Sequence, residues 1–319
     1  MKERPSLVTL ISNSKQLFTR HLKIIYLQQE AEEMRNRDLS FWLFIAPVLL
    51  ALGIVVLLPL AFGVFYSFTD WNGFRITEFL GLQNYLNLFQ DRLFLNSLRF
   101  TTLFAIVSVI TLNVLGLALA LIVTQKLRSS NLLRTVFFMP NLIGGLILGF
   151  IWQFIFIRVF AAVGNAIGVE ALTGWLSTTT TGFWGLVILS SWQMAGYIMI
   201  IYIAYLQNIP NELIEAAKID GANKWHRFKS ITFPLIAPAF TVSMFLTLSF
   251  GFKMYDQNLA LTNGGPYNST QMVAMDIVRT AFTRNELAYA QSKAIIFFIL
   301  VAVIALTQVY YNKKREVEM

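Results

Sequence analysis

Few side chains in this sequence could do chemistry. Lys253 and Asp256 stand three apart near the end of an apolar run, which puts both on one helical face within pairing distance. Thr247, Ser249, Phe250, Gly251 and Met254 lie beside them, and an earlier run carries Trp192, Gln193, Met194, Tyr197 and Tyr202. Aromatic faces next to hydroxyl and amide groups could line a site for a polar solute. The same residues equally serve as packing aromatics and a self-satisfied ion pair. Other chemistry is missing. There is no cysteine, and His21 and His226 are the only histidines, so thiol catalysis, a Cys-based zinc site and a hydrolase triad are excluded. Gly144-Gly145 and Gly264-Gly265 lack the Lys-Ser/Thr that completes a phosphate loop. The first pair suits close helix packing inside an apolar run; the second suits a turn, being flanked by Asn263 and Pro266.

The elements that must position these residues are long and apolar. Of 319 residues 56% are hydrophobic and only 13% charged, with a mean hydropathy of +0.60. A soluble domain carries about 25% charged residues, so this chain cannot cover a globular surface. Six runs are each long enough for a membrane-spanning helix: about 41–68, 101–124, 135–157, 183–207, 231–254 and 288–311. Backbone groups in lipid must be satisfied within a segment, so the runs are helices. The fold class is an all-α membrane protein with six transmembrane helices. The first run begins too far along the chain and is too long for a cleaved signal peptide.

The net charge of +8 labels the two sides of the membrane. Basic residues gather in segment 1–40, in the 125–134 and 208–230 connections, and at Lys313, Lys314 and Arg315. The opposite side holds fewer: Arg75, Arg92, Arg99, Arg158, Arg279, Arg284 and, just inside the sixth run, Lys293. The asymmetry places both termini in the cytoplasm of a bacterial cell (inner) membrane and requires no nucleic acid. Segment 1–40 reads as a cytoplasmic tail or a surface-lying amphipathic helix against membrane lipid, and 313–319 as a short cytoplasmic tail.

Between the fourth and fifth runs the cytoplasmic loop 208–238 reads as two short helices meeting at a corner. Glu212 and Glu215 favour the first helix's N-terminal half, and Gly221 can take the left-handed conformation that ends it. Pro234 and Pro238 then bend the fifth run. Physics alone leaves open an interfacial linker or a docking loop for a partner.

Glu215-Ala216-Ala217, Asp220-Gly221-Ala222, Phe228, Ile231, Pro234 and Pro238 resemble, in order and spacing, the "EAA" loop of ABC import permeases. Ser67-Phe68-Thr69-Asp70-Trp71 and the turn Leu261-Thr262-Asn263-Gly264-Gly265-Pro266 resemble stretches of its carbohydrate-uptake, MalF-like branch. The resemblance covers about residues 41–312, the permease domain, and departs from the maltose subunit in a short loop after the first run. It implies the type I importer permease (MetI-like) fold, and a coupling loop in which Glu215, Ala216, Ala217, Asp220, Gly221 and Ala222 dock on an ATP-hydrolysing subunit. It also implies sugar-contacting positions at Gln193, Met194, Tyr197, Thr247, Phe250, Gly251 and Met254, several with residue types that differ from the maltose subunit. The implied partners are a second homologous permease, two ATPase subunits and an extracytoplasmic solute-binding protein. ATP and Mg would sit on the ATPase subunits, with no cofactor and no enzyme activity in this chain. The expected role is ATP-driven uptake of a sugar or oligosaccharide. Glycerol-3-phosphate or a polyol is the alternative within the class; a stand-alone secondary transporter is the alternative outside it.

Overall fold

The computed structural model describes residues 41–125 and 128–314. The expectations for 1–40 and for the last residues of the tail lie outside them. Among the described residues, and leaving short 3-10 turns aside, the helices in order are α1 (Phe41–Ser67), α2 (Gln83–Leu88), α3 (Arg92–Val123), α4 (Ser130–Phe138), α5 (Gly145–Ile167), α6 (Thr179–Gln207), α7 (Asn211–Ile219), α8 (Lys224–Leu235), α9 (Ala237–Lys253), α10 (Asp256–Leu261), α11 (Val273–Val278) and α12 (Leu287–Lys313). Among the described residues the only β pairing is an isolated bridge between Thr69 and Phe79. Among the described residues five helices, α1, α3, α5, α6 and α12, are long and apolar enough to cross a membrane, and the bent pair α8–α9 makes a sixth if taken as one span.

The chain divides into two compact units, residues 1–62 and 63–319. The described part of the first, residues 41–62, is helical and uncharged, with one π turn at Gly53–Leu57. The second holds the buried core. Phe104, Leu148, Phe156, Leu186 and Leu189 are fully buried where α3, α5 and α6 meet. Leu112, Ile198, Met199, Tyr202 and Ile236 form a second cluster further along α3 and α6. Lipid tails are as apolar as these side chains, so close packing and interhelical hydrogen bonds hold the bundle.

Two runs depart from expectation. The run expected at 135–157 is not one helix. Its first part belongs to α4, which gives way to a 3-10 turn at Met139–Leu142 around Pro140; Ile143 and Gly144 are extended, and the span begins at Gly145. Proline removes the amide that would continue α4. Gly144-Gly145 therefore stands at a helix start, though the expected close packing is present: a Cβ on Gly145 would come 2.8 Å from Gln257 Cδ. The fifth run bends by 67° at Ile236, between Pro234 and Pro238, and α9 has only 17 residues. At 1.5 Å per residue that is about 25 Å, short of a full hydrocarbon core.

Ends are capped by local chemistry. Asp91 Oδ1 accepts from the Leu93 and Phe94 amides, each at 3.0 Å, and starts α3. Thr178 and Thr181 form a capping box at α6. In the loop after α1, Asp70 Oδ1 accepts from the Thr77 amide at 2.8 Å and the Glu78 amide at 2.9 Å. The Glu78 bond, then the Thr77 bond, hold the Asp70 carboxyl below its ordinary range. A lowered value means the ordering is complete above the ordinary carboxylate range and is lost as pH falls through the lowered value. Amide exchange at Thr77 and Glu78 is expected to accelerate relative to neighbouring amides only in acid; equal protection at low pH would contradict it.

Candidate functional site

The corner between α7 and α8 is built entirely from local sequence. Gly221 has φ +79°. Its amide donates to Lys218 O at 3.1 Å, and the Ala222 amide donates to Ala217 O at 2.9 Å. These are the two bonds of a Schellman motif, which needs a residue tolerant of positive φ at that point. Asn223 Oδ1 then accepts from the His226 amide at 2.8 Å and starts α8, and Arg227 Nη1 donates to Ala222 O at 2.7 Å. The corner is rigid and uncovered. Glu215, Ala216, Asp220 and Gly221 are exposed, and Ala217 and Ala222 are half-buried. Ile219 is 86% exposed and Trp225 70%, with Leu213 also open. Apolar side chains held outward on a rigid polar corner form a surface suited to docking.

The expected solute-contacting residues divide. Gln193, Met194, Thr247, Gly251 and Met254 are buried. Gln193 Nε2 donates to Ile143 O at 3.3 Å, and its Oε1 accepts from Gln257 Nε2 at 2.9 Å, so it ties α6 to the break before α5 and to α10. A Cβ on Gly251 would come 3.0 Å from Ala105 Cα. Met254 belongs to the first cluster and Met194 to the second. Tyr197 and Phe250 are half-buried, and Lys253 and Asp256 are exposed.

Lys253 and Asp256 do not share a helical face. α9 ends at Lys253, Met254 is extended with ψ 114°, and Asp256 opens α10. Among the described residues no ion pair joins them; both ion pairs found there belong to Lys293.

Thr247 belongs to a polar network that sequence reading missed. Asn113 Oδ1 accepts from Tyr202 OH at 2.8 Å and from Ser243 Oγ at 2.6 Å. Asn113 Nδ2 donates to Thr247 Oγ1 at 3.2 Å and to Val109 O at 2.7 Å. All four side chains are buried, so α3, α6 and α9 are pinned together by satisfied polar groups. A lone Asn inside an apolar run was the available signal, because it requires partners from neighbouring helices. Lys293 was also missed. The charge pattern puts it on the outer side, just inside the sixth run; the structure buries it fully against Asp91 and Asp276. No group of three His, Cys, Asp or Glu that could hold a metal lies among the described residues.

The family model described as "Binding-protein-dependent transport system inner membrane component" matches residues 116–317. The chain is 58% identical over 293 residues, 92% of its length and 100% of the relative's, to the probable starch degradation products transport system permease protein AmyD of Thermoanaerobacterium thermosulfurigenes. It is 32% identical to the multiple sugar-binding transport system permease protein MsmF of Streptococcus mutans, covering 86% of this chain and 96% of that one. Its fold is similar to a chain in the crystal structure of a bacterial ABC transporter that imports the acidic polysaccharide alginate. The TM-score is 0.74 at 20% identity, over 88% of this chain and 96% of that one.

Proposed function

This chain belongs to the family of binding-protein-dependent transport system inner membrane components, and we propose that it is one of two permease subunits of an ATP-driven importer for a sugar or oligosaccharide. It is a transport component, not an enzyme. Its likeness to the AmyD protein favours a starch degradation product as the solute. Among the expected path residues only Lys253 is basic, which favours a neutral sugar over a phosphorylated solute. The single observation that carries the reading is the rigid, uncovered α7–α8 corner with its exposed Leu213, Ile219 and Trp225.

A mechanism follows from how the corner is attached. An ATPase subunit docks on Glu215 to Ala222, with ATP and Mg held on that subunit. α8 carries the displacement to the bend at Ile236, and α9 carries it into the bundle. The Asn113–Tyr202–Ser243–Thr247 network makes α3, α6 and α9 respond as one body, as rigid-body gating requires. The solute path runs between this chain and a second, similar permease. Tyr197, Phe250, Lys253 and Asp256, which keep uncovered surface, would contact the solute, with Gln193, Met194, Thr247, Gly251 and Met254 supporting them from behind. An extracytoplasmic binding protein delivers the solute, and both termini lie on the ATPase side.

The test is reconstitution of the chain with its partner permease, ATPases and binding protein in vesicles. Accumulation of a labelled short α-1,4-linked glucan should require ATP and exceed that of glycerol-3-phosphate. Accumulation without ATP, or preference for glycerol-3-phosphate, would sink the reading.

A further inference from the structure

Lys293 is the seventh residue of α12 and is 0% exposed. Its ammonium lies 2.8 Å from Asp276 Oδ2, 2.9 Å from Asp91 Oδ2 and 3.0 Å from Thr280 Oγ1, which occupies its three protons. Each carboxylate is committed elsewhere too. Asp91 caps α3 through its other oxygen, and its Oδ2 also accepts from Tyr289 OH at 3.1 Å. Asp276 Oδ1 accepts from Gln271 Nε2 at 3.0 Å. Gln271 Oε1 accepts from Arg279, whose guanidinium also reaches Asn263 Oδ1 at 2.7 Å, Asn263 O at 3.0 Å and Asn268 Oδ1 at 3.0 Å. A continuous chain of polar contacts therefore runs from the 262–271 turn, through the α11 segment and α12, to the first turn of α3.

An ion cluster in which Lys293 and Asp276 are fully buried and Asp91 half-buried is a poor source of stability, because an apolar side chain of the same volume fills the space without desolvating charge. What it supplies is direction: three oxygens fix one nitrogen. The far end of the chain is the opposite kind of surface. The turn is pinned from within by Thr270, whose hydroxyl donates to Gly265 O at 2.7 Å, yet its tip, Tyr267, is 101% exposed.

We propose that Lys293 is a positioning residue for transport, holding the 262–271 turn in register with the start of α3 and the outer end of α12, so that load on the exposed tip reaches two spanning helices. The source of that load rests on the importer reading above; the positioning itself does not.

The chain has no cysteine, so one introduced thiol is a clean reporter in the full chain. Met272, at the end of the turn, and Leu189, in the α6 core, are both 0% exposed. With each as a single cysteine, maleimide labelling is followed in membrane vesicles. Lys293→Met is expected to raise labelling at Met272→Cys about tenfold or more, as local opening of a released segment does, and to leave Leu189→Cys protected. Lys293→Arg should restore protection. Asp276→Asn, which leaves Lys293 with one carboxylate, should open the same reporter without stranding an unpaired lysine. In assembled importer, Lys293→Met should lower the maximal uptake rate with the half-saturating solute concentration unchanged. Continued protection of Met272→Cys in both variants, or equal exposure of Leu189→Cys, would overturn the proposal. Labelling requires no transport, so its outcome stands apart from whether wild-type vesicles take up a sugar.

Discussion

Glu215→Lys is expected to abolish uptake while the chain still inserts and assembles its bundle. Glu215 is exposed in the middle of α7 and its side chain makes no hydrogen bond or ion pair within the described residues, so reversing its charge removes nothing that holds the fold. Its proposed partner is a basic side chain in the ATPase cleft. Truncating one member of such a partly buried pair costs about 2–5 kcal/mol, and a like charge adds repulsion. At about 1.4 kcal/mol per decade, the lower bound already weakens docking roughly 30-fold. Gly221→Val attacks the same corner by another route. Nothing lies within 4 Å of a Cβ there, so the whole effect comes from φ +79°, which a β-branched residue resists. Uptake, co-purification of the ATPase and the size-exclusion profile should be measured together. Lost uptake and lost ATPase with an unchanged profile is the expected pattern; wild-type uptake in Glu215→Lys would remove the coupling role from this loop.

The corner was legible in sequence because it is local. Proline, acids, glycine and asparagine within about fifteen residues determine both helices and the turn, and no distant contact is needed to close the Schellman pair. The third span was less legible. Residues 135–144 still carry Val136, Phe137, Phe138, Met139, Leu142 and Ile143, so an apolar run could not say where a span starts, and the Pro140–Gly145 break decided it. For the solute site, spacing along α6 and α9 identified a face but not what covers it. Gln193 and Thr247 turn out to be occupied by Gln257 and Asn113, residues far away in sequence. The three-residue spacing of Lys253 and Asp256 gives a shared face only if the helix continues, and α9 stops between them. Lys293 shows the limit of counting charges by side. Its partner Asp91 lies some two hundred positions earlier, and only the fold brings them together.

The fold itself can be broken at one methyl group. A Cβ on Gly196 would fall inside the carbonyl of Phe137 and close to the Phe138 amide. α4 and α6 therefore touch backbone to backbone at the end of α4, just before the Pro140 turn that leads into the third span. Other tight glycines have a softer neighbour. At Gly116 the nearest atom is Ile198 Cγ2, with the Ile198 backbone no nearer than 3.2 Å, and at Gly182 it is Thr270 Cγ2 at 2.9 Å. At Gly196 nothing can rotate away, so Gly196→Ala must displace α4 or α6. Overpacking typically costs about 1–3 kcal/mol where side chains relax, and this site lacks that relief. A displaced α4 also pulls Leu133 and Phe137 off the second cluster, which shares α3 and α6 with the Asn113 network. Gly196→Ala is thus expected to lower the yield of monodisperse, detergent-solubilised protein and its thermal midpoint more than Gly116→Ala does. Gly144→Ala, where no atom lies within 4 Å of the added methyl and φ is −58°, should change little. A wild-type midpoint in Gly196→Ala would mean the two backbones do not approach as closely as the structure has them.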